Sequence, residues 1–384
     1  MRNIDDNLET SSNKRVSIDF NPVGHLLLAN NQTADQLRED LTLQKALGCS
    51  IEPIEPDQIK ARWPWLNTHD IAFATHGLEN EGWFNPAMLL QALKLKAHEL
   101  GVNYVTAELI DIRRADFIST NISMGAYPER QLFNTQPIRY AQLRALGGQE
   151  HEMTFATMVN AAGPWAKEIA LMAGIGSSEI PLSLPVEKVL VHAFLLRPAF
   201  DVGYDVTYCP GLDAPFLVDF DGINVQRVGL SGDFIVYRSA SPADVVDSST
   251  CEDDLIWLQN CPQEFVNEFY TSTLQQAIVN RIPALKDSKV CNAWSTFDDL
   301  NTFDRTPVVG YHPLQLQMLF ACGMSGYGAQ HCLGVGRAIS ELVTYRDYRT
   351  IDLSSFGFAR FYMRETVSDQ SNVASSHLLA ESFE

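Results

Sequence analysis

The 384-residue sequence is short of positive charge: 28 Lys and Arg stand against 47 Asp and Glu, for a formal net charge of −19. That balance argues against binding nucleic-acid phosphates or docking by charge to an anionic membrane surface, and it serves solubility. Paired cysteines are also lacking. The seven thiols (Cys49, Cys209, Cys251, Cys261, Cys291, Cys322 and Cys332) are odd in number and scattered, and no CxxC occurs. This excludes a disulfide framework or zinc site and implies structural thiols in a reducing compartment. His76, His98, His151, His192 and His312 are dispersed, so no metal cluster is expected. No apolar run is long enough to span a bilayer. The opening MRNIDDNLETSSNKR reads as neither a secretory signal nor a transit peptide.

What is present is a chain with ample apolar residues for a core, 46% of the total. Residues 16–30 read as two strands around the turn Asn21-Pro22-Val23-Gly24, and Thr33 as the cap of a helix running to Leu47. Asn85-Pro86 starts a helix that Gly101 ends, and 102–112 reads as a strand. Residues 113–152 have the texture of a small β-meander. Residues 153–160 form a strand, leading through Ala161-Ala162-Gly163 into a helix over 164–173. From 184 to 237 short alternating strands predict an antiparallel sheet, to which 290–297 returns after a helix over 254–281. The polar segment after Val367 reads as a tail. The domains expected are 16–183 with 304–366, a discontinuous cofactor domain, and 184–303, an antiparallel substrate domain, followed by the tail 367–384.

The most informative stretch is 318–343, MLFACGMSGYGAQHCLGVGRAISELV. It reads as an apolar strand, a turn with three glycines (Gly323, Gly326, Gly328) and an amphipathic helix. Bare glycines let a backbone approach a flat ligand closely. The helix start aims unpaired N–H groups and the positive dipole end at whatever lies over the turn. An electron-rich ring or an anion suits that place.

Two strand–turn–helix modules, NAAGPW at 160–165 and CGMSGYG at 322–328, bracket the inserted antiparallel sheet, and TFDRTPVVG at 302–310 precedes the last strand. This order resembles the D-amino-acid oxidase family of flavin-dependent oxidoreductases, which includes sarcosine and glycine oxidases. The resemblance implies a mixed α/β (α+β) fold: a Rossmann-like FAD-binding domain, here incomplete, with an antiparallel substrate domain. It implies FAD as cofactor, held by Ala162, Gly163, Gly323, Met324, Ser325, Gly326, Tyr327 and Gly328. DDLNTFDRTPVVGYHPL, GVGRAISELV and RTIDLSSFGFARFYMRE are similar to a mitochondrial branch of the family linked to assembly of respiratory complex I (NADH dehydrogenase). That likeness implies a mitochondrial location and complex I assembly intermediates as partners. A working amine or amino-acid oxidase with a small substrate, and a non-catalytic scaffold that keeps the fold, stay open beside it.

The family normally begins with a βαβ unit carrying GxGxxG, and no GxGxxG stands in this sequence. Gly334-Val335-Gly336 is the nearest match and reads as helix glycines that allow close packing. The expectation is therefore a chain that starts after the ADP-binding unit, with the flavin-ring side present, the pyrophosphate side absent and FAD bound weakly or not at all. Family members commonly have His where Tyr327 stands, Pro at Leu333 and Gly at Ser295. Arg227 is a candidate clamp for a substrate carboxylate, or else a strand arginine in an ion pair. Asp304-Arg305 reads as a turn ion pair or a flavin-side contact, Cys291 as a buried structural thiol rather than a covalent flavin tether, and Trp294 and Phe297 as packing beside the ring pocket. No catalytic residue is assigned.

Overall fold

The computed structural model describes residues 17–115, 137–199, 209–246, 263–364 and 366–367. The chain opens with β1 (His25–Ala29), α1 (Ala34–Ala46), β2 (Ile51–Ile54), α2 (Pro56–Arg62), β3 (Phe73–Gly77) and α3 (Pro86–Glu99). The α3 start forms as its sequence predicts. Asn85 Oδ1 accepts from the Ala87 and Met88 amides, and Pro86 has no amide to leave unpaired. Next come β4 (Ala107–Arg114), β5 (Ile138–Ala145) and β6 (Glu150–Thr154), an antiparallel meander, then β7 (Met158–Asn160) and α4 (Ala166–Met172). The middle of the chain supplies β8 (Val186–Arg197), β9 (Phe216–Val218), β10 (Ile223–Val228), β11 (Asp233–Arg238), α5 (Gln263–Phe269), α6 (Gln275–Arg281) and β12 (Lys289–Asn301). β13 (Val308–His312), β14 (Gln315–Cys322), α7 (Gly328–Tyr345) and α8 (Ala359–Met363) complete it. Among the described residues no helix is long and apolar enough to cross a membrane.

An eight-stranded sheet in the order β12-β8-β11-β10-β9-β1-β3-β2 dominates. The two-residue period of its strands divides their side chains between two faces. Leu26, Leu28, Leu217, Val225, Val236 and Phe194 point to one face and form the largest core with Ile59, Val266 and Ile278 of α2, α5 and α6. The intervening residues look the other way, where Leu27, Ala29 and Phe73 of β1 and β3 meet Leu37 and Leu41 of α1. A separate three-stranded sheet has the order β13-β14-β7, in which β14 and β7 run parallel.

Several sequence expectations change. The described residues 17–24 form no strand pair. Asp19 (φ +53°) and Gly24 (φ +79°) break the extension, and Asn21 instead bridges to Trp83. The strand expected over 102–112 pairs only from Ala107. The strand expected over 153–160 is two, because the chain changes sheets: Thr154 pairs with Tyr140 of β5, and Met158 with Met318 of β14. The helix expected over 254–281 is described only from Gln263, as α5 and α6 joined by a wide turn at 270–274. The eight-stranded sheet also crosses the expected domain division at 183/184, since β1, β2 and β3 belong to it.

A buried ion pair ties the connection leaving β12 to the C-terminal helix. Arg360 Nε donates to Asp304 Oδ2 at 2.8 Å, with side chains only 4% and 2% exposed. Asp304 Oδ1 also accepts from Asn301 Nδ2 (2.8 Å) and Thr306 Oγ1 (2.9 Å), and Arg360 Nη2 donates to the Pro307 carbonyl (2.9 Å). Removing one partner leaves the other buried and uncompensated, which costs about 3–5 kcal/mol. Arg360→Ala is thus expected to lower the denaturant-unfolding free energy by about that much. Arg113→Ala, which breaks the exposed pair with Glu152, is expected to change it by less than about 1 kcal/mol.

Candidate functional site

The parallel register of β7 and β14 brings the two glycine turns together. Phe320 lies opposite Asn160, so 161–163 and 323–328 both leave the carboxyl ends of neighbouring parallel strands, where open α/β sheets form ligand crevices. Asn160 closes the first turn: its Nδ2 donates to the Ala166 carbonyl (2.8 Å) and its Oδ1 accepts from the Ala162 amide (3.3 Å). Gly163 has φ +54°, and no neighbouring atom lies within 4 Å of where a Cβ would stand. Trp165 braces this turn edge-on against Phe297 of β12, ring centroids 6.4 Å apart.

The second turn needs its glycines. Gly323 (φ +64°) and Gly326 (φ +92°) occupy the left-handed region, and a Cβ on Gly323 would come 3.0 Å from Val186 Cγ2. The end of β12 holds the turn. Asp299 Oδ2 accepts from the Gly323 amide (2.6 Å), the Asp299 carbonyl from the Ser325 amide (2.9 Å), and Ser325 Oγ from the Asn301 amide (3.1 Å). The 18-residue α7 then begins, burying Val335, Ala338, Ile339 and Leu342. Its Gly334 and Gly336 are not packing glycines within the described structure, for a Cβ on either would meet nothing within 4 Å.

Between this turn and the inner face of the eight-stranded sheet lies a cavity of about 220 Å3. Ser325, Gly326 and Tyr327 of the turn line it together with Tyr237, Asp298 and Arg305, and with His25 and Leu27 of β1. Burial, reinforced by Tyr327 and Asp298, pushes the Tyr237 hydroxyl well above its ordinary range, so it stays a proton donor. Burial also raises the Asp298 carboxyl. Asp299 is pushed up to about 6 by burial first and by Asp298 second, against the lowering pull of the Met324 and Gly323 amides. Arg305 is shifted down by burial, opposed by Tyr327 and Asp244.

Of the residues expected to hold a cofactor, Ser325, Gly326 and Tyr327 line the cavity. Gly323, Met324 and Gly328 shape the same turn, and Ala162 and Gly163 belong to the adjacent one. Arg227 is not among the lining residues: its Nη1 donates to the Gly229 carbonyl at the β10–β11 hairpin. Arg305 and Arg238 supply the cavity's arginines instead. Asp304, next to Arg305, pairs with Arg360. Phe297 is buried against Trp165, whereas Trp294 is exposed, and Cys291, expected to be buried, is exposed at the start of β12. Sequence reasoning passed over His25, Asn224, Tyr237 and Asp298. Polar residues on the non-core register of apolar strands were the available signal.

Because Asp299 titrates higher in the folded state than its unperturbed value of about 3.9, the unfolded chain loses this proton first. The associated stability is full below about pH 4 and is lost as pH rises through about 6. The buried His192 and His312, both shifted down by burial, add stability as pH rises through the same range. The Asp299 contribution is therefore read as a difference: in denaturant unfolding, the stability of the wild type relative to Asp299→Asn is expected to fall between about pH 4 and 7.

Residues 6–342 match the family model for FAD dependent oxidoreductase. The chain is 33% identical over 390 residues to FAD-dependent oxidoreductase domain-containing protein 1 of Xenopus laevis, covering 97% of this chain and 70% of that protein. It is 25% identical to human mitochondrial dimethylglycine dehydrogenase over 76% of this chain and 29% of that one. In fold it is similar to L-proline dehydrogenase from P. horikoshii, with a TM-score of 0.67, 18% identity, and coverage of 91% of this chain and 79% of that chain. The chain belongs to the FAD dependent oxidoreductase family.

Proposed function

We propose that this protein is a mitochondrial FAD-dependent oxidoreductase-like protein acting in assembly of respiratory complex I, and that its cavity is a flavin-edge and substrate site. One observation carries the site reading: the glycine turn that leaves the carboxyl end of β14, beside its parallel neighbour β7, lines the cavity of the eight-stranded sheet. The mitochondrial and complex I parts rest on the resemblance of 298–314, 334–343 and 349–365. The division into a cofactor half (16–183 and 304–366) and a substrate half (184–303) belongs to the same proposal, with β1, β2 and β3 joining the substrate half by pairing.

The residues present fit a flavin ring edge. Gly326 carries no Cβ, and a Cβ there would meet only Asp298 Oδ2, at 3.6 Å; the start of α7 follows at Gly328. Ser325, Gly326, Tyr327 and Gly328 would hold the ring edge, with Ala162 and Gly163 on the neighbouring turn. Bound there, flavin supplies a hydride acceptor. The positive end of α7 stabilises negative charge over the turn. Arg305 suits a carboxylate, and Tyr237 remains a hydroxyl donor. Asp298 places an acidic group beside the turn, so the cavity favours a small amine-bearing acid, as in an amine or amino-acid oxidase.

Fluorescence titration of the full chain with FAD and with riboflavin tests the reading. Because the recognised part is the ring, the two affinities are expected to agree within about tenfold, and Gly326→Val to weaken both by at least about tenfold, or 1.4 kcal/mol. Absence of flavin binding, or equal affinity in Gly326→Val, would remove the turn from cofactor binding and leave the scaffold reading. Co-purification with complex I assembly intermediates tests the partner.

A further inference from the structure

We propose that His25, oriented by Glu81, is the hydrogen-bond acceptor that selects the amine group of a ligand in the cavity. This rests on the reading of the cavity as an amine site. His25 opens β1 on the sheet face turned away from the main core, and its ring lies edge-on to Phe216 at 5.0 Å. Its Nδ1 is 3.3 Å from Glu81 Oε2. The carboxylate places negative charge beside Nδ1, which favours a proton on that nitrogen over Nε2 and turns the Nε2 lone pair into the acceptor. An ammonium N–H then meets an acceptor backed by a carboxylate charge, whereas a carbon group of the same shape gains nothing there.

The position of Glu81 depends on a missing side chain. A Cβ on Gly77, the last residue of β3, would stand 1.9 Å from Glu81 Oε2. Gly77 is not among the glycines with positive φ, so the backbone does not require glycine there; the room for the carboxylate does. Backbone pairing then fixes Glu81 beside β1, since the Gly24 amide donates to its carbonyl (3.1 Å) while the Gly24 carbonyl accepts from Phe216 (3.0 Å). The neighbouring His76 has different partners, Glu52 and the Val23 carbonyl, and does not line the cavity. Thus Glu81 and Gly77 are positioning residues, and His25 is the group offered to the ligand.

N,N-dimethylglycine and its carbon isostere 3-methylbutanoate differ only in the atom at issue. Calorimetric titration of the full chain is expected to show at least about a tenfold preference for the amine. His25→Phe, Glu81→Gln and Gly77→Ala are each expected to remove that preference. Imidazole 15N NMR supplies a readout that a merely structural role would not move. His25 is expected in the Nδ1–H tautomer in the wild type, and the tautomer preference is expected to be lost in Glu81→Gln and Gly77→Ala. Gly77→Ala displaces only the flexible end of Glu81, and Glu81→Gln keeps its shape, so folded protein remains for measurement. If the wild type prefers the amine and the variants keep the same ratio, the assignment of His25 fails while the amine site stands. If the wild type binds both probes alike or neither, the amine-site reading fails and the assignment with it.

Discussion

The last residues of β12 and the connection after it constrain everything around the site. Asp299 and Asn301 give the glycine turn its hydrogen-bond partners, and Asn301 and Asp304 bind the connection into β13. A turn with successive left-handed residues leaves amides that no regular structure satisfies, and buried amides must be satisfied. A carboxylate answers them with charge-assisted bonds, at the cost of burying a charge beside a second carboxylate, Asp298. The raised Asp299 reflects that conflict. The eight-stranded sheet and the glycine turn are thus joined by specific bonds rather than by contact alone.

That join explains why the cavity is polar on one side of a largely apolar sheet. The core face of the strands is filled by Leu, Val and Phe against α2, α5 and α6. The other face meets a turn with no side chain at Gly326, and the space left over is lined by Tyr237, Asp298, Asn224 and His25. Removal from water keeps the Tyr237 hydroxyl protonated and makes each charge in the cavity act over a short, weakly screened distance. Tyr327, where family members commonly have His, offers a hydroxyl in place of an imidazole. The described structure offers an imidazole from β1 instead, on the opposite element.

Family membership and site chemistry are separate matters in this protein. The family model spans residues 6–342. Structures related at 18% identity share the fold alone, and a shared fold does not carry a shared reaction. The side chains around the cavity, above all the placement of Asp298, Arg305 and His25, are what a reaction would use.

By itself the sequence determined the elements whose signals are local. The Asn85-Pro86 cap, the Gly101 and Gly174 stops, the alternation of β8 and the strand–turn–helix of 318–343 were legible because each rests on backbone geometry or two-residue periodicity. The family order was legible for the same reason. Tertiary structure decided what depends on pairing between distant segments. It placed β1, β2 and β3 in the eight-stranded sheet, turned Arg227 to the β10–β11 hairpin, separated Arg305 in the cavity wall from Asp304 in its pair with Arg360, and set Glu81 against His25 over the bare Gly77. No local pattern encodes these, because strand partners and the face a residue presents follow from register across the sheet. For the glycine turn, composition alone marked a place for a ring; only the end of β12 and the sheet opposite gave that place a wall and a chemistry.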